Sequence, residues 1–179
     1  MLISNNGQKI LKIFHLFAVC FWVGGGMGLL LLLYAAKSAA SSDELVGILR
    51  SYRFVNVIVT VYMGAYASFF TGLAYSLCTN RGFFRHKWII AKWVMTVAMI
   101  AAGMAFLGPW STQMLEMAIT GGLHALRHPD FIRIYELHTM VIAAYMALFV
   151  VATVLSVYKP WEREEQSRHQ PPPLLQHER

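Results

Sequence analysis

Charge is what this chain has least of: 13% of its 179 residues are Asp, Glu, Lys or Arg, against 57% hydrophobic. Soluble domains carry roughly a quarter charged residues, so an ordinary water-solvated domain is excluded. Cysteine is also scarce. Cys20 and Cys78 lie within or at the end of apolar runs and form no CxxC pair, which leaves no disulfide framework or zinc site. No Gly-rich phosphate loop, nucleophile elbow, paired carboxylate site or HExxH motif occurs, so hydrolysis and phosphoryl transfer have no candidates.

What is there is apolar sequence in runs long enough to cross a hydrocarbon core, which takes about 20 helical residues. Four such runs cover 10–35, 54–78, 87–108 and 134–158. The expected fold is all-α, an integral membrane four-helix bundle over residues 1–160, followed by a disordered cytoplasmic tail over 161–179. The first run far exceeds the roughly 7–15 apolar residues of a cleavable signal and is expected to be retained. From Pro160 the composition turns to charged and polar residues with Pro171–Pro173, too little apolar surface to order itself.

The net charge of +6 does not point to nucleic acid, because the basic residues flank the runs instead of forming a stripe. Lys9, Lys12, Arg81, Arg85, Lys87, Lys159, Arg163 and Arg168 gather on one side of the bilayer. Lys37, Arg50, Arg53, Arg127 and Arg133 fall on the other. The excess predicts an inner (plasma) membrane protein with both termini cytoplasmic and the lipid bilayer as its main partner.

Ser41-Ser-Asp-Glu44 has the form of a capping box, predicting a short helix that runs into the second span. Thr79–Arg85 reads as a tight polar turn that makes spans two and three antiparallel neighbours. Gly108-Pro109 predicts the end of span three. Beyond it, Met114, Met117, Ala118 and Leu123 share one face of 111–131, as in an amphipathic interfacial helix covering the outer mouth.

Within this apolar sequence His15 stands out, because an ionisable group in hydrocarbon is costly unless it pairs, coordinates or faces a cavity. Spans one and three run parallel, and Lys92 sits at matched depth, both roughly 8 Å inside the cytoplasmic boundary at the helical rise. Trp22, Trp88 and Trp93 supply flat surfaces nearby. Neutral imidazole is a common ligand for haem iron. Packing alone offers a plainer account: an interhelical hydrogen bond for His15, and snorkelling to the headgroups for Lys92.

On the opposite side Arg133, Glu136 and His138 open the fourth span, with Arg53 and Asn56 opening the second. Glu136 is expected to pair with Arg53 or Arg133, fixing helix ends. His138 lies on the order of 15 Å from His15 by helical rise and core thickness, so it is a metal ligand only if a second site exists. His86, His124, His128, His169 and His177 fall at boundaries, in loops or in the tail. Met95 and Met99 share a helical face and would suit Cu(I), although methionine in lipid spans is commonly packing. Gly24-Gly25-Gly26 with Gly28 permits close approach of another helix or a flat ligand.

His15 followed by Trp22 and Gly24, Arg53 opening span two, Ala91-Lys92 in span three, and Arg133–Glu136 with Lys159-Pro160-Trp161 around span four form an ordered set. In this set the chain resembles, over about residues 9–161, the HemJ-type membrane protoporphyrinogen IX oxidases and, more loosely, CopD-type four-span proteins. The resemblance implies haem b bound in the bundle, with His15 and Lys92 as the functional pair. The expected function is then haem b binding with electron transfer or oxidation of a porphyrin-like substrate. The expected metal ligands are His15 and, for a second site, His138. His15, Trp22, Arg53 and Lys92 are the expected cofactor contacts. Lys92, Arg133 and Glu136 are the candidate catalytic groups. A porphyrin- or quinone-type small molecule is the expected partner, with a homo-oligomer also open. Two alternatives remain: copper transport along His15, Met95 and Met99, and an assembly subunit that uses the Gly24–Gly28 face.

Overall fold

The computed structural model describes residues 4–78 and 87–158. The turn expected at Thr79–Arg85 and the tail expected beyond Pro160 lie outside the described residues. Four helices are long and apolar enough to cross a membrane: α1 (Asn5–Lys37), α2 (Ser42–Cys78), α3 (Trp88–Arg127) and α4 (Pro129–Tyr158). No strand occurs among the described residues. The chain is thus an all-α, four-helix membrane bundle.

Two of the helices are longer than the hydropathy runs. α2 has 37 residues and α3 has 40; at 1.5 Å per residue these reach roughly 55–60 Å, about twice a hydrocarbon core. The surplus of both lies at the end of the bundle away from the termini. There the first part of α2, Ser42–Phe54, packs on Gly108–Gly121 of α3. Leu45, Leu49, Tyr52, Met114, Ala118 and Phe131 are buried in this cap, together with Leu29, Leu33 and Ala36 of α1.

The capping box forms as expected. The Ser41 hydroxyl accepts from the Glu44 N–H at 3.1 Å, and the Glu44 carboxylate accepts from the Ala40 N–H at 2.7 Å, one residue earlier than the usual pattern. The expected end of span three at Gly108-Pro109 does not occur. Gly103–Leu107 widens into a π-turn in which the Gly108 N–H reaches back to the Gly103 carbonyl. Pro109 then falls in the first turn of a renewed α-helix, where its missing N–H costs nothing. Residues 111–127 therefore continue α3, residues 129–131 open α4, and both pack in the cap instead of lying apart as an interfacial helix.

A longer π stretch, Val55–Tyr66, occupies the middle of α2. Val55, Val57, Ile58, Val59, Thr60 and Val61 crowd the tight α-turn with β-branched carbons. The Thr60 hydroxyl donates to the carbonyl of Val55, five residues back.

Glycine is required at two joints. A Cβ on Gly64 would stand 2.6 Å from the Trp22 Cα, so here the backbones of α1 and α2 are in contact. Gly122 has φ +54°, and a Cβ there would meet the Ser42 hydroxyl at 2.5 Å; that hydroxyl also accepts from the Leu123 N–H at 3.2 Å. The Gly24–Gly28 patch does not act as one face: Gly25 meets Thr60 of α2, Gly26 meets Met146 of α4, and Gly24 and Gly28 stand in open space.

Candidate functional site

α1 turns His15 toward α2, where its Nδ1 lies 3.0 Å from the Thr71 hydroxyl oxygen. That hydroxyl has a single proton, and it donates to backbone carbonyls of its own helix, Ala67 at 2.6 Å and Ser68 at 3.2 Å. With that proton directed to the nearer Ala67 carbonyl, Thr71 accepts from the His15 Nδ1–H, the tautomer that leaves the Nε2 lone pair free. Gly72 makes room for the ring, since a Cβ there would come within 3.3 Å of the His15 Cε1.

Lys92 reaches from α3 to α4. Its ammonium donates to the Ser156 hydroxyl at 2.8 Å, and that hydroxyl in turn donates to the Ala152 carbonyl at 2.7 Å. The same ammonium stands 5.7 Å from the Trp88 ring centre. His15 and Lys92 thus each bond to a hydroxyl of a neighbouring helix, Thr71 of α2 and Ser156 of α4, and not to each other. Lys92 leans toward the end of α4, as snorkelling would have it, but stops at Ser156.

A cavity of about 190 Å³ lies deeper between the helices. Both π stretches line it, through Asn56, Thr60 and Tyr66 on α2 and Gly103, Met104 and Leu107 on α3. Trp22, Met99, Tyr145 and Met146 complete much of the wall. Trp22 also packs edge-on against Phe149, ring centres 5.0 Å apart. His15 and Lys92 do not line this cavity. π-turns are rare and recur at functional sites, so two of them on one cavity mark it for attention.

The opposite end of the bundle is arranged differently from the expectation. His138 is fully buried, and its Nε2 is hydrogen-bonded to the Tyr52 hydroxyl. The Tyr52 and Trp110 rings flank it, with centres 5.4 and 6.0 Å away. Its Nδ1 has no hydrogen-bond partner among the described residues. Arg53, Arg133 and Glu136 are exposed. Among the described residues no ion pair joins Glu136 to either arginine, so the expected pairing at the outer mouth is replaced. Glu136 instead borders a surface pocket of about 310 Å³ with Lys37 and Tyr135. The Lys37 ammonium sits 4.6 Å over the Tyr135 ring, whose hydroxyl donates to the Leu33 carbonyl at 3.0 Å. Among the described residues no group of three His, Cys, Asp or Glu side chains could hold a metal ion.

Sequence reasoning did not single out Tyr52, Thr71, Ser156 or Tyr66. Thr71 and Ser156 were discoverable as polar residues facing His15 and Lys92 on adjacent spans. Tyr52 lies 86 positions from His138, and no local pattern connects the two.

Fold and site together define the class: a membrane bundle of four helices with a polar pair near the termini and an apolar cavity beyond it. No family model, curated protein or solved structure matches the chain.

Proposed function

We propose that the protein binds haem b in the membrane and acts in electron transfer or in oxidation of a porphyrin-like substrate, with a porphyrin- or quinone-type molecule as its partner. One observation carries this reading: the His15 Nδ1 bonds to a Thr71 hydroxyl whose proton has the Ala67 carbonyl at 2.6 Å, an arrangement suited to the tautomer whose Nε2 lone pair is free, the form in which imidazole ligates iron. Bound haem would supply one-electron chemistry. His15 would hold its iron, and Lys92 would be the cationic partner of a propionate. Trp22 and Trp88 offer aromatic surface near the two groups. His138 is committed to Tyr52 and takes no part. Arg53, Arg133 and Glu136 lie on the outside of the far end, where they suit contact with headgroups or a partner better than contact with the haem. The excess of basic residues around the end with the termini supports placing that end in the cytoplasm.

A second reading, transport of Cu(I), is favoured by the thioethers of Met99, Met104 and Met146, all in the cavity wall. Titration of haem into the detergent-purified protein separates the two. Saturation near one haem per chain, lost in His15→Ala and kept in His138→Phe, supports haem binding. Failure of the wild type to take up haem, with retention of Cu(I), transfers the reading to copper.

A further inference from the structure

The cavity contains a feature that packing does not explain. Asn56 is 5% exposed, lines the cavity, and makes no side-chain hydrogen bond among the described residues. A buried amide without a partner costs free energy comparable to a lost hydrogen bond and is rare in native structures. In a wall this apolar, a polar ligand atom is what such an amide lacks.

Tyr66 supplies a second group of the same kind. Its hydroxyl donates only to the Met104 sulfur at 3.7 Å, and a thioether is a weak acceptor that a carbonyl oxygen displaces readily. The other hydroxyls of the wall are engaged: Tyr145 donates to the Met99 carbonyl at 2.6 Å and Thr60 to Val55 at 3.3 Å. The cavity thus offers two donors a carbonyl can claim, an amide without a partner and a phenol held only by a thioether, against walls of Trp22, Ile100 and Leu107.

Size and access narrow the ligand further. A cavity of about 150 Å³ accepts benzene, so about 190 Å³ holds a single substituted ring. Val57 and Met104 belong both to the cavity wall and to the exposed outer surface, so the space opens toward lipid between α2 and α3. Across that seam the contacts include the Tyr66–Met104 bond and the edge-on rings of Phe69 and Trp93, centres 5.3 Å apart. A ring arriving from the bilayer enters here and leaves its apolar tail in the lipid.

We infer that the cavity lined by the two π stretches is a binding site for the ring of a lipid-soluble quinone, with a ring carbonyl taken by Asn56 and Tyr66. This gives a place to the quinone-type partner of the reading above and rests on that reading for its purpose. The binding itself does not require haem, since the cavity excludes His15 and Lys92.

Duroquinone, a single tetramethylated ring with two carbonyls, is the probe, read by saturable quenching of tryptophan fluorescence in detergent-purified protein. Durene, the same ring without carbonyls, competes for the site. The expected result is saturable quenching in the wild type, with durene binding about tenfold more weakly. Asn56→Leu weakens duroquinone about tenfold, the loss of roughly one hydrogen bond, and removes its advantage over durene. Gly103→Leu, where a new Cβ meets only the Tyr145 hydroxyl at an ordinary 3.7 Å, fills the space and abolishes saturable quenching. Asn56→Leu also keeps or raises the melting temperature, because it removes an unpaired amide. Non-saturable quenching in the wild type, equal affinities for duroquinone and durene, or a sharp fall in melting temperature for Asn56→Leu overturns the proposal. These readouts stand apart from haem uptake, so either claim can fail alone.

Discussion

The cap at the loop end and the membrane half between the helices are built from the same four helices but to opposite standards of packing. In the cap, Leu45, Leu49, Tyr52, Met114 and Phe131 are each at most 2% exposed, and even His138 has Tyr52 as a partner. In the membrane half the buried cluster shrinks to Trp22, Ala65 and Met99, with a cavity and an unpaired Asn56 beside it. The difference follows from the solvent. Outside the bilayer, burial gains the hydrophobic effect. Within it, lipid tails are as apolar as leucine, and only dispersion, hydrogen bonds and close backbone approach hold helices together. Stability is therefore concentrated in the cap, which leaves the membrane half free to keep a cavity, two π stretches and a ligand-ready histidine.

Substitutions grade this contrast. Phe131→Ala, at 2% exposure in the cap, is expected to cost about 3–5 kcal/mol, the range for large-to-small changes in a packed core. Thermal unfolding in detergent checks it, and a change under about 1 kcal/mol would erase the distinction between the two halves. Tyr52→Phe strips the bond from the His138 Nε2 and leaves both buried ring nitrogens unpaired, at about 1–3 kcal/mol. The double change Tyr52→Phe with His138→Phe is expected to recover part of that loss, because removing both partners costs less than stranding one. Met99→Ala in the membrane half, 4% exposed, falls well below Phe131→Ala, since its side chain borders a cavity that already exists and lipid compensates the lost burial. Gly28→Ala is smallest, within about 0.5 kcal/mol, because nothing lies within 4 Å of the added carbon.

Hydrophobic periodicity and composition make the four helices and the capping box legible, and they mark His15 and Lys92 as polar residues that need partners inside the bundle, because an ionisable residue in a lipid-solvated run has few places to go. Of the cap, the Ser42–Phe54 helix is legible and the continuation of α3 is not. Gly108-Pro109 reads as a stop, and only the preceding π-turn, a property of backbone hydrogen bonding, lets the helix pass. The capping box does announce the Ser42–Phe54 helix that runs into the second span, but composition alone leaves Asn56 at the outer charges, whereas packing of that helix buries it. Glu136 and the two arginines looked like a network because they cluster in sequence, but a helix turns Arg133 and Glu136 to its exposed side, where pairing is worth little.

The most direct test of the central claim, that the membrane half holds its ligand through a histidine fixed by Thr71, is the reduced-minus-oxidised visible spectrum. It is recorded on protein purified from cells supplied with haem, alongside Thr71→Val and His15→Ala. The account predicts a Soret band with sharpened reduced bands in the wild type, a weaker and shifted spectrum in Thr71→Val, and no haem spectrum in His15→Ala. A colourless wild type, or a spectrum unchanged in His15→Ala, would contradict it.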